Sequence, residues 1–166
     1  PYPGTCRRLR PEERAAKVAA GRQPAWRLDA TRAADLTGEL HFTDLRHGRI
    51  RVEPGLLGDV VLARSDIGTA YHLAVVVDDA YQKITHVTRG EDLLGATHVH
   101  RLLQALLGFP EPLYLHHALV TDERGVRLAK RHDALSIAQL RESGNSPRQV
   151  LELLPLTPAA ARSPRS

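Results

Sequence analysis

Residues 84–120 read ITHVTRGEDLLGATHVHRLLQALLGFPEPLYLHHALV. Residues 84–88 predict a strand. Glu91 and Asp92 suit the positive end of a helix, and Leu94, Val99, Leu102, Leu103, Leu106 and Leu107 recur behind them at helical spacing. Gly108 and Pro110 stop that helix. Residues 113–120 predict another strand, and Asp122-Glu123-Arg124-Gly125 a turn. Strands alternating with helices predict an α/β layer architecture.

Upstream, residues 71–79 (YHLAVVVDD) read two ways. The valines favour a strand, whereas Tyr71, Val75 and Asp78 or Asp79 also fall along one helical face. Residues 59–63 predict a buried strand, residues 48–58 are turn-rich, and residues 26–28 predict a short strand. Pro11, Glu12 and Glu13 open a helix that Gly21 stops. Downstream, Asp133 is placed to cap a helix ending near Gly144, and Ser146-Pro147 starts a last helix reaching Leu154. Residues 155–166 are rich in Pro, Ala, Ser and Arg and predict a flexible tail.

The chain has 166 residues, 42% hydrophobic and 25% charged, which are globular values. Its longest apolar run, residues 73–77, is too short to span a bilayer. No signal segment opens the chain, and the single cysteine, Cys6, fits a reducing compartment, so the cytoplasm is expected. The lack of methionine suggests that the natural N-terminus lies upstream. A net charge of +4 is compatible with a nucleic-acid partner without requiring one.

Three stretches carry chemistry. Arg127-Leu128-Ala129-Lys130-Arg131 concentrates three cations, either to grip a triphosphate or as a solvated basic turn. Arg89 ends a strand, where α/β sheets bind ligands, and its guanidinium can hold a carboxylate by two parallel hydrogen bonds. The alternative is a pair with Glu91, Asp92 or another acid. Tyr71 either offers its hydroxyl to a ligand or is a core aromatic.

The three stretches together, in this order, resemble the catalytic core of glutamyl-tRNA synthetases, which are class I aminoacyl-tRNA synthetases. Residues 127–131 resemble a relaxed form of their second signature, Lys-Met-Ser-Lys-Ser. Tyr2-Pro3-Gly4-Thr5-Cys6 resembles the second half of a zinc site in the glutamyl-Q tRNA(Asp) subfamily, whose other half is a Cys-x-Cys pair upstream. The resemblance implies a partial Rossmann-type catalytic domain with an inserted α+β subdomain and C-terminal helices. Residues 1–64 would form the inserted subdomain, 65–134 the second half of the core, and 135–154 the C-terminal helices.

On that basis Tyr71 and Arg89 would contact glutamate. Lys130 would be the catalytic cation on the phosphates of ATP, within the signature loop Arg127, Leu128, Ala129, Lys130 and Arg131. Mg2+ would accompany the triphosphate. Tyr2 and Cys6 would be two of four ligands to a structural Zn2+. The implied activity is ATP-dependent activation of glutamate and its transfer to the queuosine base of tRNA(Asp), by a monomer with no membrane partner.

Departures from the pattern bear on this. Arg127 replaces the first signature lysine and Ala129 its serine. Asp66-Ile67-Gly68 shifts the glycine of an Asp-Gly turn. No His-Ile-Gly-His-like first signature is present, so this stretch alone is expected to be inactive. Two rival readings are a truncated glutamyl-tRNA synthetase and a non-catalytic tRNA-binding module derived from one.

Overall fold

The structure, a computed structural model, describes residues 2–66, 68–119 and 136–152. In chain order its elements are α1 (Pro11–Ala19), β1 (Ala25–Arg27), α2 (Ala30–Thr37), β2 (His41–Asp44), β3 (Gly48–Arg51), β4 (Val61–Arg64), β5 (Gly68–Thr69), α3 (Tyr71–Tyr81), β6 (His86–Gly90), α4 (Leu94–Leu107), β7 (Leu113–His117), α5 (Ile137–Glu142) and α6 (Pro147–Glu152). One 3-10 turn, Glu91–Leu93, joins β6 to α4. The chain divides into two compact units, Pro1–His117 and Ala118–Ser166.

The first unit is built on a four-stranded sheet in the order β3-β2-β7-β6. Its β6 and β7 run parallel with α4 as the crossover between them, while β2 is parallel to β7 and antiparallel to β3. A smaller antiparallel sheet, β1-β4-β5, stands apart. The main sheet therefore takes strands from both sides of Ser65. Phe42, Val76, Val99, Leu102, Leu103 and Tyr114 form the centre of its core. Phe42 is fully buried, edge-on to both His98 and Tyr114. Aromatic pairs prefer such edge-to-face contacts.

Residues 71–79 are helical. Val76 of α3 is buried, and the helix lies against α4, which recruits the valines despite their strand propensity. Residues 48–51, read as part of a turn-rich stretch, pair with β2 as a strand. Asp44 and Gly48 close that hairpin, and Gly48 takes φ 80°, a left-handed conformation that glycine adopts without penalty. Helix α2, not expected from the sequence, buries Ala30 and Ala33 on one face. Its N-cap, Asp29, accepts from the Arg32 backbone N–H at 3.1 Å.

The second unit's described part holds α5 and α6. Ser136 caps α5 in a capping box with Gln139. Asp133, read as that cap, lies outside the described residues, as do Leu154 and the tail.

Candidate functional site

The parallel register of β6 and β7 sets Arg89 beside His116 and Gly90 beside His117, at the carboxyl ends of both strands. Ligands of α/β sheets bind at such ends. A cavity of about 400 Å³ opens at the other end, lined by Ile84, His86, Pro110 and Leu113 among others, and contains no residue of this cluster.

The Arg89 guanidinium donates in four directions. Nε reaches His116 Nε2 at 3.1 Å, and Nη2 reaches Thr97 Oγ1 at 2.5 Å. Nη1 reaches Tyr71 Oη at 3.4 Å and His100 Nδ1 at 3.3 Å. Among the described residues these partners are all neutral acceptors, and no carboxylate lies within ion-pair distance. Glu91 pairs instead with Arg46 and His47, at 3.7 and 3.3 Å.

An arginine only donates, so it dictates the protonation of its neighbours. His116 must present a lone pair at Nε2, which puts its proton on Nδ1, 2.7 Å from Asp44 Oδ2. His100 must likewise accept at Nδ1, so its Nε2–H points to His72 Nδ1 at 3.1 Å. Burial pushes the His100 imidazolium down to about 3, helped by the positive charge of Arg89. Burial also lowers His116 and His72, again with Arg89 adding to the effect.

Asp44 is 1% exposed. Burial alone would raise its carboxyl. The hydrogen bond from the His116 side chain and those from the backbone N–H groups of His47, Arg46 and His116 outweigh it and hold the carboxyl below the ordinary value.

Tyr71 begins α3 and is half-exposed, its ring edge-on to His72 and His100 with centroids 5.3 and 5.6 Å away. Its hydroxyl accepts only the long bond from Arg89 Nη1 among the described residues. Asp79, on the same helix, is half-buried; burial raises its carboxyl, and the Arg89 charge partly opposes this.

The sequence profile of the tRNA synthetases class I (E and Q), catalytic domain, matches residues 1–163. The chain belongs to this family. It is 45% identical to a glutamyl-Q tRNA(Asp) synthetase of Rhodobacter capsulatus, over 93% of this chain and 56% of that protein. It is 48% identical to one of Symbiobacterium thermophilum, over 90% of this chain and 45% of that protein. A glutamate–tRNA ligase 2 of Syntrophus aciditrophicus is 36% identical over 93% of this chain and 31% of its own length. The chain thus spans about half the length of the glutamyl-Q relatives. Among solved structures, the glutamate-tRNA synthetase of Elizabethkingia anophelis superposes with a TM-score of 0.57 at 28% identity, covering 82% of this chain and 26% of its own.

Within this class I synthetase chain, the two residues expected at glutamate, Tyr71 and Arg89, are brought together. Arg127, Leu128, Ala129, Lys130 and Arg131 lie outside the described residues. Tyr2 and Cys6 also meet: the Cys6 backbone N–H donates to Tyr2 Oη at 2.6 Å, and the Tyr2 ring lies under Arg27, 4.3 Å from its guanidinium carbon. Cys6 is exposed and its thiol is free. No group of three His, Cys, Asp or Glu side chains suited to a metal occurs among the described residues. Nor is any helix among them long and apolar enough to cross a membrane. Sequence reading missed Asp44, Thr97, His100 and His116. The one signal for them was the polar pair His116-His117 ending an otherwise apolar strand.

Proposed function

We propose that this chain is the glutamate-recognising half of an ATP-dependent ligase. The supporting observation is the Arg89 guanidinium at the carboxyl end of β6, ringed by neutral acceptors and reaching the exposed Tyr71 hydroxyl. A guanidinium with no carboxylate in ion-pair contact among the described residues favours an incoming carboxylate. In the reaction an oxygen of the glutamate α-carboxylate bonds to the α-phosphorus of ATP, and the bond to the β-phosphate bridge breaks, releasing pyrophosphate. The α-carboxylate must stay nucleophilic, so Arg89 and Tyr71 hold the side-chain carboxylate. Lys130, with Arg127 and Arg131, serves the charge that develops on the phosphates, and Mg2+ accompanies the triphosphate.

The acceptor is the queuosine base of tRNA(Asp): its hydroxyl attacks the activated carbonyl and AMP leaves. The similarity to glutamyl-Q enzymes at 45 and 48% identity supports this acceptor over the tRNA end. Tyr2 and Cys6 supply two ligands of a structural Zn2+, the others coming from residues not in this chain. The setting is a cytoplasmic one.

Glutamate-dependent exchange of pyrophosphate into ATP tests the reading on the full-length gene product. Arg89→Ala and Lys130→Ala should each reduce exchange sharply. Near-normal exchange in both removes the site assignment. Queuosine-bearing tRNA(Asp) should accept labelled glutamate and tRNA(Glu) should not; the reverse result makes the enzyme an ordinary glutamate–tRNA ligase.

A further inference from the structure

Arg89 is held from behind by a residue that sequence reading passed over. His116 is fully buried, and its Nε2 takes the Arg89 Nε–H at 3.1 Å. Its Nδ1 meets Asp44 Oδ2 at 2.7 Å, and the same oxygen accepts the His116 backbone N–H at 3.0 Å. The other carboxylate oxygen accepts the backbone N–H groups of Arg46 and His47, both at 2.9 Å. Four donors therefore lock one buried carboxylate at the hairpin turn between β2 and β3.

The order of these groups matters chemically. A carboxylate placed directly against Arg89 would neutralise it and compete with an incoming carboxylate. Here an imidazole stands between, so the guanidinium is oriented by a neutral lone pair while the negative charge sits one ring further back. Asp44 reinforces the tautomer that Arg89 requires. Without its acceptor oxygen the Nδ1 proton is buried without a partner, whereas on Nε2 it has Thr97 Oγ1 at 3.1 Å but stands donor to donor against the Arg89 N–H. Thr97 completes the clamp by accepting from Nη2 at 2.5 Å. The second N–H of Nη2 has no partner among the described residues, and the two bonds of Nη1 are long, at 3.3 and 3.4 Å. The guanidinium is therefore held at Nε and by one N–H of Nη2, and loosely engaged at Nη1.

We infer that Asp44 and His116 are positioning residues that fix Arg89 through a neutral histidine acceptor and so leave Nη1 and one N–H of Nη2 for the carboxylate of the amino-acid substrate. The inference deepens the proposed function and rests on Arg89 being the glutamate receptor. It assigns a task in amino-acid recognition to β2, a strand with no residue against the substrate in that reading.

The test is steady-state pyrophosphate exchange by the full-length gene product, with KM measured separately for glutamate and for ATP. Asp44→Asn should raise KM for glutamate about tenfold or more while KM for ATP stays within about twofold, the loss expected for one charged-group hydrogen bond. His116 15N shifts should report the move of its proton from Nδ1 to Nε2. His116→Gln, whose amide reaches the former Nε2 position, should retain much of the glutamate affinity. His116→Asn, whose amide stops near the Nδ1 position, should lose it. Equal KM values for these two variants overturn the proposal, and they decide it alone if Asp44→Asn does not fold. A parallel rise in both substrates' KM in Asp44→Asn also overturns it, since that marks a general structural defect. Arg89→Ala separates the two levels: an unchanged glutamate KM there removes the glutamate reading itself. A raised KM in Arg89→Ala with wild-type values in Asp44→Asn and His116→Asn removes only the positioning role.

Discussion

The Tyr71 hydroxyl lies 3.4 Å from Arg89 Nη1, across the 18 residues that separate the head of a helix from the end of a strand. That distance is at the long end of hydrogen bonding, so the hydroxyl is only loosely tied and can turn to a ligand. Tyr71→Phe should raise KM for glutamate about three- to tenfold, the value of one ordinary hydrogen bond. Because the ring is half-exposed, the melting temperature should stay near the wild-type value. Initial rates and a thermal melt on the same preparation check both halves.

Arg89→Lys keeps the charge but loses the fork. One ammonium with three donors cannot serve His116, Thr97, His100 and Tyr71 together. Glutamate KM should rise further than in Tyr71→Phe, by about a hundredfold. A value near that of Tyr71→Phe would show that charge alone suffices.

Acid should unfold the domain in a defined window. His100 is held near 3 by burial and the Arg89 charge, and burial also lowers His72, His98 and His116. The folded state keeps His100 neutral down to about 3 and resists protonation of the other three rings, while the unfolded chain protonates all four below the ordinary value of 6.5. Their contribution is therefore whole above 6.5 and is lost as the pH falls below it, that of His100 continuing to about 3. Asp44, lowered from 3.8, adds to the loss at the acid end of that range. Urea midpoints should hold between about pH 7.5 and pH 6.5 and fall from there to about pH 5, and His100→Gln should flatten the slope.

Phe42 shows no exposed surface and anchors β2 edge-on to His98 and Tyr114. Phe42→Ala should cost about 3–5 kcal/mol by chemical denaturation, through lost burial and the cavity left behind. Since Asp44 follows two residues later on the same strand, exchange activity should fall as well, even below the unfolding transition.

The full-length gene product should carry zinc if Tyr2 and Cys6 act as ligands. Cys6→Ser should lower its zinc content in metal analysis, and a stoichiometry equal to the wild type would remove Cys6 from the site.

Much of the fold was legible because local signals agreed. The apolar spacing behind Glu91 and Asp92 identified α4, and Gly108 stopped it with φ 68°. Residues 71–79 were not decidable, since four of them are Leu or Val on a stretch that fits either period. Packing against α4 decided it. β3 reads Gly-Arg-Ile-Arg, too short and too charged to stand out, and it exists because β2 offers it an edge.

Sequence alone determined the family resemblance, and through it picked out Tyr71 and Arg89, because the motifs that carry it are local. It said nothing of what stands behind Arg89. Asp44 and His116 are 72 residues apart, and an aspartate in a hairpin turn looks like any other turn aspartate. Only the pairing of β2 with β7, and of β7 with β6, brings carboxylate, imidazole and guanidinium into one line. Periodicity and capping report which face a residue takes within its own element. Which donor meets which acceptor depends on strand order, and that is settled by burial of the whole sheet.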